Sequence, residues 1–266
     1  MVSHSSLITV MEKAVRKASP RLRRDFGEVD ALQVSRKGPA DFVSNADRAA
    51  EETIVEVLSH ARPDWGLTLE EGQSRTGADA KSRWIVDPLD GTTNFLHGMP
   101  HFAISIAAEV NGEVVSGLIH QPLTGESYWA EKGRGAWLSD RRLRVSARRE
   151  LADCVLATGI PFRGHGDTAA FSRQLDAVMP EVAGVRRFGA ASLDLAWVAA
   201  GRFDGFWESG LSEWDVAAGI LLVREAGGFV SDFRGGEAMV ARREIVAGNG
   251  QVQSRLHKLL AEAAKT

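Results

Sequence analysis

Residues 84–95 read Trp-Ile-Val-Asp-Pro-Leu-Asp-Gly-Thr-Thr-Asn-Phe, and their types suit a metal-phosphate site. Trp84, Ile85 and Val86 suit a buried strand, Pro88 fixes one backbone angle, and Gly91 permits a sharp turn. Asp87 and Asp90 can then converge on one point instead of alternating across a sheet. Thr92 and Thr93 open a short helix whose free N–H groups favour an anion. Two hard carboxylates beside an anion cradle point to a divalent cation gripping a phosphate, since magnesium takes oxygen ligands and shares its shell with substrate phosphate. The structural alternative is a capped turn at a strand end, built from ordinary turn formers.

The elements that must position this stretch can be read from periodicity. Leu7, Val10, Met11, Ala14, Val15 and Ala18 predict an amphipathic first helix that ends near Pro20 or continues past it with a kink. A second helix, capped by Ser44 or Asn45, carries Ile54, Val55 and Leu58 and stops at Arg62-Pro63. From Arg83 to about Val145 the pattern becomes β-type, with a hairpin of residues 102–110 and 114–119 about an Asn111-Gly112 turn. Beyond Ser146, strand and helix alternate: strands near 155–157 and 203–207, helices near 168–178 and 192–200. A last clear helix runs from Trp214 to about Ala226 and ends at Gly227-Gly228, ahead of a strand at Phe229-Val230. The expectation is an α+β half with an antiparallel sheet over 1–145 and a mixed α/β half over 146–266, sharing one interface because no Pro- or Gly-rich linker divides them.

Composition excludes several classes. The chain has 266 residues, 44% apolar and 25% charged, as folded soluble proteins have. A net charge of −3 argues against direct nucleic-acid binding, which needs a basic face. The one cysteine, Cys154, cannot form an internal disulfide and lies in an apolar run, so a reducing cytoplasm is expected. No signal-peptide core follows the N-terminus, where Ser3, His4, Ser5 and Ser6 lead into a charged helical pattern. Apolar runs elsewhere are shorter than the roughly 20 residues needed to span a bilayer.

A metal site needs ligands from several element ends. Asp41 and Asp47 within residues 37–47, Glu70-Glu71 before Gly72, and Asp215 after Trp214 qualify. Each has a structural alternative: Asp47 favouring its helix N-terminus, Glu70 and Glu71 in a solvated loop with Glu71 pointing at solvent, Asp215 capping its helix. No nucleophile competes with a metal site: Ser192 and Ser209 lack a nearby histidine, and no Gly-x-Ser-x-Gly or zinc-type His-Glu-x-x-His spacing occurs. His97 and His101 read as loop or surface residues, close enough to the phosphate motif for a minor substrate role.

The ordered set resembles the inositol monophosphatase family of magnesium-dependent, lithium-sensitive phosphatases, most closely its bacterial inositol-1-monophosphatase members. The resemblance runs from about Leu7 to Gly248. It is carried by residues 84–95, by Trp214-Asp-Val-Ala-Ala-Gly-Ile-Leu-Leu-Val-Arg-Glu-Ala-Gly-Gly228, and by residues 37–47, Glu70-Glu71-Gly72 and Gly189-Ala-Ala-Ser192. It implies a layered αβαβα sugar-phosphatase fold, two or three Mg2+ ions with Mn2+ as a substitute, a small phosphorylated polyol as substrate, and a homodimer.

By the same resemblance, Glu70, Asp87 and the Leu89 carbonyl hold one ion, and Asp87 bridges to a second held by Asp90 and Asp215. Glu70 helps hold a weaker third through water. Gly91 and Thr92 receive the phosphate; Thr92 with Asp47 or Glu70 orients the attacking water. Arg186, Gly189, Ala190, Ala191 and Glu208 contact the alcohol, beside Asp90 and Asp215. Two departures stand out: Thr68-Leu69 before Glu70, where relatives often carry glycine, and Ala190, where some carry a hydroxyl. The expected substrate is myo-inositol 1-phosphate, with fructose 1,6-bisphosphate, histidinol phosphate and 3'-phosphoadenosine 5'-phosphate as rivals within the family. A non-catalytic interaction protein is the alternative of another class.

Overall fold

A computed structural model describes residues 4–28, 34–36, 42–161 and 166–265; Ser3 and residues 37–41, Asp41 among them, lie outside the described residues. Helix α1 (Ser6–Gly27) is capped by Ser5, whose hydroxyl accepts the Ile8 N–H, and it continues through Pro20. A short antiparallel pair, β1 (Val34–Arg36) and β2 (Phe42–Ser44), leads into α2 (Asn45–Ala61), which stops just before Arg62-Pro63. The two helices bury facing stripes, Ile8, Met11, Val15 and Leu22 against Ile54 and Leu58, at the helical spacing expected of one apolar face.

Seven strands form the first sheet in sequential order: β3 (Trp65–Leu69), β4 (Asp79–Asp90), β5 (Ala103–Val110), β6 (Glu113–Gln121), β7 (Glu126–Glu131), β8 (Gly135–Leu138) and β9 (Arg141–Arg142). Between β4 and β5 lies the one-turn helix α3 (Thr92–Leu96). The β5–β6 turn has Asn111 at φ 55° and Gly112 at φ 77°, the left-handed pair that an Asn-Gly hairpin requires. The expectation of an antiparallel sheet needs one correction. β3 and β4 run parallel, with Leu69 paired to Val86, because the chain crosses back through residues 70–78 before starting β4. In a parallel pair both strands finish at the same edge. Glu70 and Asp87 therefore leave the sheet side by side.

The second sheet is mixed. It comprises β10 (Val155–Thr158), β11 (Gly184–Arg186), β12 (Gly205–Ser209), β13 (Phe229–Ser231) and β14 (Glu244–Gly248) in the order β11-β10-β12-β14-β13, with parallel pairs around β10 and antiparallel pairs around β14. The intervening helices are α4 (Thr168–Val178), α5 (Ala191–Ala199), α6 (Glu213–Glu225), the short α7 (Met239–Arg242) and α8 (Gly250–Ala263). Strands β11 and β14 and helix α8 are not among the elements expected from the sequence. Yet α8 has a cap at Asn249 and buries Val252, Leu256 and Leu260 four residues apart, a signal present in the chain.

Five layers result: α1 and α2, the seven-stranded sheet, α5 and α6, the five-stranded sheet, then α4 and α8. Three apolar clusters fill the spaces between them. Because α5 and α6 have a sheet on either side, they are apolar nearly all round instead of along one stripe. Their contact is close: a Cβ at Gly219 would sit 2.5 Å from Leu195 Cδ1. Among the described residues no helix is long and apolar enough to cross a membrane.

Candidate active site

Opposite β5, Asp87 pairs with Ser105 and Asp90 with Ala103, so β4 uses three residues where β5 uses two. The extra residue makes a bulge at Pro88-Leu89, which cancels the alternation that would otherwise aim side chains three apart at opposite faces. The Leu89 N–H donates to Asp87 Oδ1 at 2.9 Å and holds the bulge. Gly91 follows at φ 92°, and a Cβ there would lie 2.9 Å from the His101 carbonyl oxygen. Gly91→Ala is thus expected to displace the Asp90–Thr92 turn, lowering both the thermal midpoint and, by about 10²-fold, the hydrolytic rate. A purified variant matching the unsubstituted chain in both would show that the turn tolerates a side chain.

Thr92, the first residue of α3, donates its hydroxyl to the Leu89 carbonyl at 2.9 Å and lies 3.3 Å from Asp47 Oδ2. A hydroxyl has one proton, so the shorter Leu89 contact takes it, and the Thr92 oxygen stays beside Asp47. Asp47, in the first turn of α2, is fully buried. One carboxylate oxygen from each of Asp47, Glu70 and Glu71 lies within 4.8 Å of the others. Glu71 is therefore no solvent-facing neighbour: its side chain is 2% exposed, with Arg48 Nε 4.0 Å away.

The remaining acids come from the second half of the chain. Asp90 Oδ2 accepts two hydrogen bonds from Ser192, the N–H at 2.7 Å and the hydroxyl at 2.5 Å, which tie it to the start of α5. Asp215 is the third residue of α6, and its Oδ2 accepts the Ser212 N–H at 2.6 Å in a capping box. The capping alternative raised from sequence thus holds for one oxygen of Asp215.

Burial raises the Asp87 carboxyl well above the ordinary range, and the charges of Glu70, Asp90 and Asp215 add to it; Glu70 is also in hydrogen-bond contact with it. Asp215 is raised well above its usual value by burial, then by Asp90 and Glu70. Asp90 is raised less, since burial is opposed by the two Ser192 donors. Among the described residues, the charges that raise Asp87 most are all carboxylates. Such a cluster is costly unless a cation enters it, and its donors are hard oxygens, the set that suits magnesium rather than zinc. Glu70, Asp87, Asp90, Asp215 and the Leu89 carbonyl therefore fit a divalent cation.

Burial pushes Glu208 up to about 8, helped by Asp194 and Asp90 and opposed by Arg187. Asp194, on α5, is raised well above its normal range for the same leading reason. The resemblance implies Arg186, which ends β11 and donates to the Val185 carbonyl at 3.1 Å; it and Arg187 are both exposed. Its neighbour Arg187 supplies the positive charge felt by Asp194 and Glu208, and Nη1 of Arg187 lies where a Gly189 side chain would go. Gly189 has φ 80°, while Ala190 and Ala191 are buried. Asn94 Nδ2 donates to the Phe188 and His101 carbonyls at 2.7 and 2.8 Å, joining this turn to the phosphate motif.

His101 also departs from expectation. It sits in a loop but is largely covered, its ring against Phe188 and Trp197 and its Nε2 3.7 Å from Asp194 Oδ1; burial lowers its pKa, against the pull of Asp90. His97 is exposed. Ser192, Asp194 and Arg187 were not chosen as site residues from sequence. Ser192 lies inside the Gly189–Ser192 motif, and its role here is as a donor to Asp90 rather than as a nucleophile.

The model of the inositol monophosphatase family matches residues 3–266. An inositol-1-monophosphatase of Rhizobium meliloti is 56% identical over 259 residues, 97% of each chain. The Nus factor SuhB of Pseudomonas aeruginosa is 46% identical over 247 residues, 91% of each. The crystal structure of extragenic suppressor protein SuhB from Bartonella henselae superposes with a TM-score of 0.94 at 54% identity, covering 96% of this chain and 98% of that one. With the layered fold and the acidic cluster at the end of β4, these matches place the chain in the inositol monophosphatase family, as a phosphatase.

Proposed function

We propose that the chain is a magnesium-dependent phosphomonoesterase that hydrolyses myo-inositol 1-phosphate and related small polyol phosphates. The observation that carries this reading is the convergence of Glu70, Asp87, Asp90 and Asp215 at the ends of β3 and β4 and the start of α6, where the charges of the other three raise Asp87. Magnesium bound by these residues and the Leu89 carbonyl, with manganese as a substitute, supplies charge neutralisation at the phosphoryl group and lowers the pKa of water. Asp87, enclosed by the other three acids, would be central among the residues that hold the metal. The N–H groups of Gly91 and Thr92 receive the phosphate oxygens at the start of α3. Thr92 Oγ1, beside Asp47 and bonded to Leu89, orients the attacking water together with Asp47 or Glu70.

Glu208, with the Gly189–Ala191 turn, contacts the alcohol, where a carboxyl accepts hydrogen bonds from ring hydroxyls. Two acids, Asp194 and Glu208, face one cation, Arg187, at that end. Burial holds both acids toward their neutral forms, so each can donate as well as accept a hydrogen bond, which suits the hydroxyls of a polyol. Cytoplasmic location, lithium sensitivity and a homodimer belong to the same proposal through the family. A second role, as an interaction protein beside the hydrolase, draws only on the Pseudomonas relative being a Nus factor.

A substrate panel tests the reading. Inositol 1-phosphate should be turned over with Mg2+, inhibited by Li+, and favoured over fructose 1,6-bisphosphate and 3'-phosphoadenosine 5'-phosphate by about tenfold or more in kcat/KM, the ratio that reports differential transition-state binding. Histidinol phosphate turned over far better than inositol 1-phosphate would overturn the substrate assignment, and no Mg2+-dependent turnover of any phosphomonoester would overturn the hydrolase.

A further inference from the structure

Behind the acidic cluster, Arg83 uses all five N–H donors of its guanidinium. Nε and Nη2 grip Glu109 at 2.8 and 2.8 Å, Nη1 and Nη2 grip Glu213 at 2.9 and 2.6 Å, and Nη1 also donates to Thr68 Oγ1 at 2.8 Å. The sequence positions of these partners matter more than their number. Thr68 lies on β3 two residues before Glu70, Arg83 lies on β4 four before Asp87, and Glu213 lies on α6 two before Asp215. Glu109 adds β5, the strand that pairs with the Asp87–Asp90 bulge.

We infer that Arg83 is a positioning residue: one planar guanidinium sets the mutual alignment of the three segments that carry Glu70, Asp87 and Asp215. This rests on the metal-site reading above. Isolated surface ion pairs contribute little, but a doubly bidentate network with fixed fork geometry is the exception, because both planar carboxylates are held in register as well as attracted. The tie is long-range, since 130 residues separate Arg83 from Glu213. Nothing else described here fastens the first turn of α6 to β3 and β4 together through charged groups. Lysine, a point charge with three donors, cannot reproduce the double fork.

The test is Mn2+ binding by titration calorimetry alongside Mg2+-dependent kinetics. The proteins compared are the unsubstituted chain, Arg83→Met, Arg83→Lys, Glu213→Gln, Asp215→Asn, and Arg148→Met as a control. Arg148 pairs with the buried Asp204 and joins none of the three segments, so its loss destabilises without touching alignment. Arg83→Met should weaken Mn2+ binding and raise the Mg2+ requirement by about tenfold or more, as loss of an outer-shell partner does, with kcat at saturating Mg2+ much less changed. Glu213→Gln should follow it in part, and Arg83→Lys should fall between.

Arg83→Met or Glu213→Gln binding Mn2+ as tightly as the unsubstituted chain, with only the melting loss that Arg148→Met also shows, overturns the positioning role. Should Arg83→Met not fold, Glu213→Gln decides alone. If instead the unsubstituted chain fails to bind Mn2+, or Asp215→Asn binds it equally well, the metal-site reading fails and takes this inference with it.

Discussion

Asp87→Asn should lower kcat by about 10³-fold or more and, in the metal-free protein, raise the thermal midpoint. The two effects have opposite signs because one charge causes both. For catalysis, the proposed bridging carboxylate is the group whose loss cannot be shared out, and removing one electrostatic anchor of a transition state costs about 3 to 4 kcal/mol. For folding, Asp87 is buried among Glu70, Asp90 and Asp215, which raise its pKa together with burial. Asparagine keeps an oxygen for the Leu89 N–H, gains N–H donors toward Glu70, and spares the folded chain either that repulsion or the uptake of a proton that relieves it. Each kcal/mol of repulsion relieved moves the midpoint by about 2 to 4 °C for a chain of this size. Calorimetric scans in chelator and steady-state assays in Mg2+ read both effects; a variant that loses activity and melts earlier without metal would show that Asp87 serves the fold first.

Chelation should abolish turnover, and adding Mg2+ or Mn2+ should stabilise the chain by about 2.7 kcal/mol at a hundred times the dissociation constant. The size of that stabilisation should grow with pH. In the metal-free protein Asp87, Asp90, Asp194, Glu208 and Asp215 all have folded values above their ordinary ones, Glu208 at about 8. The folded state holds protons that the unfolded chain releases, so metal-free stability is fullest below the usual carboxylate range and is lost as pH rises toward and through those values. Buried His101 and His120, whose values are lowered by burial, His120 to about 4, work the other way as pH falls below about 6.5. Melting at pH 6.5 and 8.5, with and without Mn2+, isolates the carboxylates. A metal-free midpoint that does not fall between those two values would mean that the acids are not held protonated.

What was legible in the chain was local. The Asp-Pro-Leu-Asp-Gly-Thr-Thr run encodes its own bulge and turn, the Asn111-Gly112 pair encodes a hairpin, and Gly227-Gly228 ends α6; each depends on residues a few positions apart. The family resemblance supplied the layered fold, and it joined Glu70 and Asp215, already legible as carboxylates at element ends, to the proposed ligand set. Features fixed by packing between distant segments were not legible. The parallel pairing of β3 with β4 depends on how the chain returns through residues 70–78, and no periodicity in either strand records it. Arg186 and Arg187 are the same residue type, and only the direction in which β11 ends decides which one faces Glu208. Glu71 looked like a loop acid because its cover comes from elsewhere in the fold. The helix α8 is a different matter, since its cap and stripe are local and were passed over.

The middle layer gives the chain an unusual dependence on its own completeness. Ile85, Ala107, Ile119 and Tyr128 of the first sheet lie in one apolar cluster with Leu195, Val198, Val216 and Leu222, contributed by α5 and α6. Those two helices also deliver Asp215 and the Ser192 grip on Asp90. A polypeptide severed near Ser146 would leave its N-terminal fragment holding Glu70, Asp87 and Asp90 above a bare greasy face, without the Ser192 grip on Asp90 or the Glu213 arm of the Arg83 tie. Neither fragment alone would keep both the acidic cluster and the covered interior beneath it.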